Sequence, residues 1–289
     1  MDQKLEAVSK MQRYILSHIR EPISLRDLSS VSCFSLWYSR RIFLEYLGVT
    51  PAEFVRKTKL KMAALELRDN EVKIIDVASN WGFESVDGFT RAFYKEYGCN
   101  PKEYALSPFP IPLFISYDIV TQYPRKEKKE MKNQPVHLSL VNKPERKVII
   151  KRGIQATEYW TYCQEVGCDV WGILASIKSI SGEPVCLWLP EQYVTEGTSV
   201  YVQGAEVPLD YSGPIPEGFD LIELPECKYL MFQGEPFEEE DFEAAIQEVW
   251  KAEKDCDPSL FGVEFDPSNP RIQLEPIGKR GYIEFVPVR

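Results

Sequence analysis

Along the first third of the chain, apolar residues return every three or four positions, the spacing of helices with one buried face. Leu25, Leu28 and Val31 form one such run, introduced by Ser24-Leu-Arg-Asp27, whose S-x-x-D form is a capping box for free amides at a helix start. Ile74, Ile75, Val77 and Ala78 form a second run, closed by Gly82 at a turn. Small residues, Ser29 and Ala78, stand where two helices cross closely. After each run a serine suited to an N-cap, Ser35 or Ser85, opens another helix whose phenylalanine, Phe43 or Phe93, points inward. On the helix after Ser35, Leu36, Ile42 and Phe43 are expected in the core, with Trp37, Tyr38, Arg40 and Arg41 outside.

The two helices after the serines belong to a longer repeat. Residues 35–54 (SLWYSRRIFLEYLGVTPAEF) and 85–104 (SVDGFTRAFYKEYGCNPKEY) both fit Ser-x5-Arg-x-Phe-x4-Gly-x2-Pro-x-Glu-aromatic, fifty residues apart and without a gap. Each copy closes on a further start signal, Thr50-Pro51-x-Glu53 or Asn100-Pro101-x-Glu103, with proline at the first helical position. The first of these predicts a long helix over roughly 51–68 that joins the two units. An arginine at the same register in both copies, Arg41 and Arg91, suits base or phosphate contact on two reading helices.

Residues 5–107, and most closely Ile74–Tyr104, resemble the DNA-binding domain of the AraC/XylS transcriptional regulators. The resemblance implies seven helices, two helix-turn-helix units on a linking helix, and reading helices that enter successive major-groove segments of double-stranded DNA. Its contact positions fall on Trp37, Arg40 and Arg41 in the first unit and on Arg91 in the second, and Ser35, Ser85 and Asp87 at the starts of the two helices are further candidates for contact with DNA. The second reading helix departs from the family pattern, carrying Val86, Asp87 and Gly88 where relatives often carry amides. It is therefore expected to lean on Arg91 and on phosphates, leaving most base reading to the first unit.

From about residue 135 the pattern changes to short alternating runs. Leu140–Gly153 and Leu221–Gly234 echo one another at an offset of 81, each a strand, a Pro-Glu turn, a second strand and a glycine. An acidic, aromatic helix follows each, over roughly 157–166 and 238–254, and then further strands at 186–189, 199–207, 271–274 and 282–287. The expected class is an α+β domain of two β-α-β-type repeats with a central groove.

This half resembles the GyrI-like effector-binding domains of multidrug-sensing regulators. The resemblance implies a small-molecule effector, aromatic or cationic, and a glutamate on the last strand facing the groove. Glu284 in Gly281-Tyr-Ile-Glu-Phe-Val-Pro287 is the candidate, one residue out of the family register, with Glu275 as the alternative. Tyr159, Tyr162 and Trp171 are the candidate walls of the groove, since aromatic faces attract flat or cationic guests.

Charge divides the chain in the same place. Residues 1–107 hold 16 Lys+Arg against 14 Asp+Glu, and residues 135–289 hold 13 against 27, a net of −14. The rear half is a poor partner for DNA, and the front half must place its few excess cations well. Between them, residues 108–134 read as a linker, with three prolines in SPFPIPLF and the charge run RKEKKEMK. Seven cysteines without a C-x-x-C pair, and only His18 and His137, argue for reduced thiols, a cytoplasmic location, no metal, no cofactor and no His-based catalysis. A redox pair of Cys163 and Cys168 is the lesser alternative. No apolar run reaches spanning length, so no membrane partner is expected. The expectation is a DNA-binding regulator, an activator with RNA polymerase as a further partner, and not an enzyme. The other readings of the rear half are drug sequestration, hydrolysis, or a protein-interaction module.

Overall fold

The computed structural model describes residues 3–122, 134–167 and 169–289. The chain divides into two compact units, Met1–Arg125 and Lys126–Arg289. The charge run at 125–132 and Cys168, half of the redox pair considered above, lie outside the described residues.

The first unit is helical: α1 (Gln3–Ser17), α2 (Leu25–Ser32), α3 (Leu36–Leu47), α4 (Pro51–Asp69), α5 (Ile74–Asn80), α6 (Val86–Tyr97) and α7 (Pro101–Leu106). Its boundaries lie where local chemistry puts them. Ser24 and Asp27 form a reciprocal capping box at α2. Ser35 accepts from the Tyr38 amide at 3.4 Å, and Ser85 accepts from the Gly88 amide at 3.1 Å. Gly48 and Gly98 end α3 and α6 in the left-handed region, at φ 69° and 72°, which costs a residue without a Cβ least. Thr50 and Asn100 then cap α4 and α7, each with proline in the first turn. So the repeated serine, glycine and proline are the punctuation of two successive helices.

The repeated aromatic positions fill two cores. Phe43 and Phe54 pack edge to face beside Met11, Ile15, Leu28 and Ile42. Phe93 lies among Phe89, Tyr97 and Tyr104, at centroid distances of 5.6, 4.8 and 5.8 Å. Leu36 and Ile75 do not join them. Both are exposed, Leu36 at 42% and Ile75 at 59%, because the helix turns those positions away from the neighbouring helices.

The segment read as a linker, 108–134, is packed structure as far as residue 122. Ile111, Leu113, Ile119 and Val120 are buried. The Gln12 side chain donates to the Tyr117 carbonyl at 2.6 Å and accepts from the Ile119 amide at 2.9 Å. Asp118 takes Ser9 and Arg13. Pro108, Pro110 and Pro112 keep their stretch out of helix, and a 3-10 turn follows at Ile119–Gln122, but the apolar residues among and after the prolines still find a core, so the first unit extends past Ser107.

The second unit is one sheet with helices: β1 (Val136–Lys143), β2 (Arg146–Arg152), α8 (Tyr159–Val166), α9 (Asp169–Ser176), β3 (Val185–Trp188), β4 (Tyr201–Val207), β5 (Asp220–Leu224), β6 (Cys227–Gly234), α10 (Phe242–Asp255), β7 (Arg271–Gln273) and β8 (Ile283–Val288). Helix α9, which carries Trp171, has no counterpart in the expected elements. The strand order is β1-β6-β8-β7-β3-β4-β2-β5. Exchanging each strand of β1–β4 with its counterpart in β5–β8 reverses this order onto itself, so the two halves are related across the β7–β3 boundary. The expected strand–turn–strand pairs do not close as hairpins. β1 pairs with β6, and β5 pairs with β2, so each half lends its first strand to the other. The crossings fall at Pro144 and Pro225, residues without an amide hydrogen for a tight ladder.

Helices α8 and α9 lie against β4, and α10 lies against β6 and β1. The opposite face buries Val148, Ile150, Val185, Leu187, Val202, Tyr229 and Ile272 in one cluster. At its margin is an ion cluster. Arg146 and Glu206 have no exposed surface and meet at 2.5 Å, Lys143 reaches Glu206 at 2.6 Å, and Ser181 and Tyr229 add hydroxyl contacts.

Candidate functional site

The recurring arginines are turned outward. On α3, Ser39, Ile42 and Phe43 are buried, which leaves Leu36, Trp37, Arg40, Arg41 and Leu44 on the free face. Ser39 is what allows the close approach of α2 and α3: its hydroxyl meets Ser32 at 2.8 Å inside the crossing. Trp37 is 66% exposed, and the Arg41 guanidinium lies 5.6 Å from its ring centroid, one turn further on. Ser35, at the start of the helix, is exposed beside these residues.

On α6 the free face carries Asp87, Arg91 and Tyr94, with Val86 half-buried and Ser85 exposed at the cap. Asp87 sits in the first turn, where its carboxylate meets the positive end of the helix. A phosphate there faces a negative charge already in place. The helix is held against α4 by Glu96, which pairs with Arg56 at 3.3 Å and Lys57 at 2.9 Å. Tyr94, 60% exposed, is a candidate contact that the repeat did not point to, since its counterpart in the first copy is Leu44.

The helix-turn-helix domain family HTH_18 matches residues 28–106, within this first unit. Regulatory protein SoxS of Salmonella typhimurium is 31% identical over 99 residues, which are 34% of this chain and 92% of SoxS. The chain belongs to the AraC family of transcriptional regulators. The HTH-type transcriptional regulator YbfP of Bacillus subtilis is 39% identical over 99 residues, and the right origin-binding protein of Escherichia coli is 30% identical over 95. The chain spans about a third of the length of each, 34% and 33% respectively. A probable AraC family regulator from Rhodopseudomonas palustris, 23% identical, aligns over 35% of this chain with a TM-score of 0.34. The DNA-binding helix-turn-helix domain of this AraC-family regulator is thus its first unit.

In the second unit, the Glu284 carboxylate is fully buried on the helix-bearing face of β8. Its Oε2 accepts from Arg271 Nε and lies 2.6 Å from the second guanidinium nitrogen. Its Oε1 accepts from Trp250 Nε1 at 2.7 Å and from the Tyr282 hydroxyl. Arg271 lies opposite Trp188 across the β3–β7 ladder, with its guanidinium 4.4 Å from the Trp188 ring and 6.0 Å from Trp250. Glu253 closes the group, with Oε2 at 3.7 Å from Arg271 and Oε1 buried without a hydrogen-bond partner among the described residues.

The other expected residues lie elsewhere or at the margin. Tyr162 is buried, donates to the Lys151 carbonyl at 2.7 Å and reaches Trp188 through Tyr201. Tyr159 is half-buried against Trp160. Trp171 is buried on α9, and the indoles around the guanidinium are those of Trp188 and Trp250. Glu275 follows the end of β7, off the ladder, and its carbonyl accepts from Arg280. Trp250 and Glu253, three apart on α10, carried a helical signal that the sequence reading passed over. Arg271 and Trp188 carried none, because only strand register makes them neighbours.

The two carboxyls at this site titrate apart. Burial raises Glu253, and its hydrogen bond and closeness to Glu284 add to this, up to about 9. Burial would raise Glu284 as well, but hydrogen bonds from Glu253 and Arg271 hold it below its usual value. Folding therefore keeps a proton on Glu253 that the unfolded chain releases above about pH 4–5. The stability this group contributes is full below that range and is lost as pH rises toward about 9. Glu253→Gln keeps a neutral hydrogen-bonding side chain and removes the titration. At pH 8 it is expected to stabilise the second unit by about 1–2 kcal/mol relative to wild type, with no gain at pH 4. Unfolding midpoints at the two pH values check this, and an equal gain at both would contradict it.

Proposed function

We propose that a single chain reads an asymmetric DNA site through α3 and α6, in major-groove segments about one helical turn apart, on the order of 34 Å. The observation that carries this reading is the outward face of α3. Two arginines and an exposed indole stand outward on one capped helix whose opposite face, Ser39, Ile42 and Phe43, is buried. Arginine makes bidentate contacts to guanine, and the helix start suits a phosphate. α3 is the main base reader, while α6, with Asp87 in its first turn, contributes Arg91 and backbone contacts. Arg40→Ala or Arg41→Ala should each weaken binding to the preferred site by about 1–3 kcal/mol and relax base preference there. Val86→Ala should leave affinity nearly unchanged. Mobility-shift titrations across a set of sites, with footprinting to define the bound length, test the assignment. A strictly palindromic footprint, with no complex of one chain, would overturn it.

The second unit is proposed to be the sensor, an effector-binding domain of the GyrI-like kind that tunes the first unit and its contact with RNA polymerase. Support comes from the buried Glu284, set among two indoles and a second carboxyl on the helix-bearing face of the sheet. A buried carboxylate of this kind requires a cation or hydrogen-bond donors. DNA affinity measured with and without a bound aromatic cation tests the coupling, and an effector that binds without changing DNA affinity would leave a binding domain but no switch.

A further inference from the structure

The cage around Glu284 already holds a cation, the protein's own. We propose that Arg271 is the resident occupant of a site for planar, delocalised cations of the amidinium or guanidinium class, and that such a guest enters only by displacing it. This deepens the sensor reading above and rests on it.

Three observations lead there. The first is acceptor saturation. A carboxylate offers about four lone-pair directions, and Glu284 already meets more donors than that: Arg271 twice, Trp250 Nε1, the Tyr282 hydroxyl and the protonated Glu253. A cationic guest has no vacant acceptor on Glu284 and must replace one of these donors. The second is that the donors differ in how easily they leave. Tyr282 is fully buried. Trp250 is 44% exposed but is carried by α10, a helix of fourteen residues, whereas the Arg271 side chain is 33% exposed and begins a strand of only three. The third is shape. The guanidinium lies near two indole rings, at 4.4 and 6.0 Å, an arrangement that favours a flat cation over a compact ammonium.

Glu253 fits the same picture. Its Oε1 is buried and has no hydrogen-bond partner among the described residues, so the cage retains an acceptor that the resident guanidinium leaves unused. A guest bearing two N–H groups on one plane can reach both carboxyls, whereas Arg271 holds Glu284 closely and stands 3.7 Å from Glu253.

The test uses the full chain with benzamidine as the cationic probe and benzamide as its neutral counterpart of the same outline, titrated by calorimetry. Arg271→Gln leaves both carboxyls and both indoles in place. It is expected to bind benzamidine about tenfold more tightly than wild type, with no such gain for benzamide. Arg271→Lys keeps a cation for Glu284 but not a flat one, and it is expected to gain affinity in the same direction. It serves as the decisive variant if Arg271→Gln does not fold. Adding Glu284→Gln to either should remove the gain. If wild type binds benzamidine as tightly as the folded Arg271 variants, the displacement idea is overturned while the sensor reading stands. If neither probe binds any of the proteins, both are overturned.

Discussion

Arg146→Ala is expected to cost the second unit about 3–5 kcal/mol, because it removes the closest cation from a glutamate with no access to water. Glu206 is fully buried on β4, and Arg146 meets it at 2.5 Å from β2. Burial would raise the Glu206 carboxyl, but the charges of Lys143 and Arg146 hold it below its usual value. Lys143 remains in the variant at 2.6 Å, so part of the compensation survives. The guanidinium also donates to the Pro144 carbonyl at 3.1 Å and to the Tyr229 hydroxyl, which tie the β1–β2 crossing to β6. Hydrogen exchange of β2 and β4 amides in the full chain measures the loss directly. The paired change Arg146→Met with Glu206→Leu is expected to recover most of it, since a well-packed apolar pair removes the desolvation cost from both sides. Unchanged protection in Arg146→Ala would show that the ion cluster is not what holds the crossing.

Phe93→Ala is expected to be as damaging in the first unit, at about 3–5 kcal/mol, the usual range for deleting a buried aromatic ring. Phe93 has no exposed surface and touches Phe89, Tyr97 and Tyr104, so the cavity opens where α6 and α7 meet. Its counterpart Phe43 holds the same register on α3, beside Phe54. Urea unfolding, with exchange protection followed helix by helix, should show the loss concentrated in α5–α7 and smaller in α1–α3. A cost below about 1 kcal/mol would mean that the repeated phenylalanine is not a core position. The consequence for DNA is indirect: α6 would lose the packing that aims Arg91 outward, with no contact residue altered.

The first unit was largely legible in the sequence because its signals are local. Ser35, Gly48, Pro51, Ser85, Gly98 and Pro101 act on amides and dihedral angles within one helical turn, and each does so here. The inward Phe43 and Phe93 and the outward Arg41 and Arg91 follow from helical spacing alone. Where the reading failed in this unit, at Leu36, Ile75 and residues 108–122, the deciding fact was which neighbour a residue met. An exposed leucine on an outward helix face and a proline-broken strap with a buried face both carry sequence patterns that suggest the opposite.

In the second unit the strands and two of the helices were visible from alternation, charge and the offset of 81, but their partners were not. A strand lists its own faces and never names the strand beside it. The exchange of β1 and β5, the pairing of Arg146 with Glu206, and the placing of Arg271 opposite Trp188 were all settled by tertiary register. Glu284 was identified as the acid of interest, yet its resident cation lies thirteen positions back in the chain and is brought to it only by the β7–β8 ladder. Caps and helical faces are decided by forces that act over a few residues, and sheet partners by loop closure and packing over the whole unit. For that reason the sequence by itself determined the helices of the first unit and the caps that bound them, while the tertiary structure alone decided where that unit ends and the chemistry inside the sheet of the second.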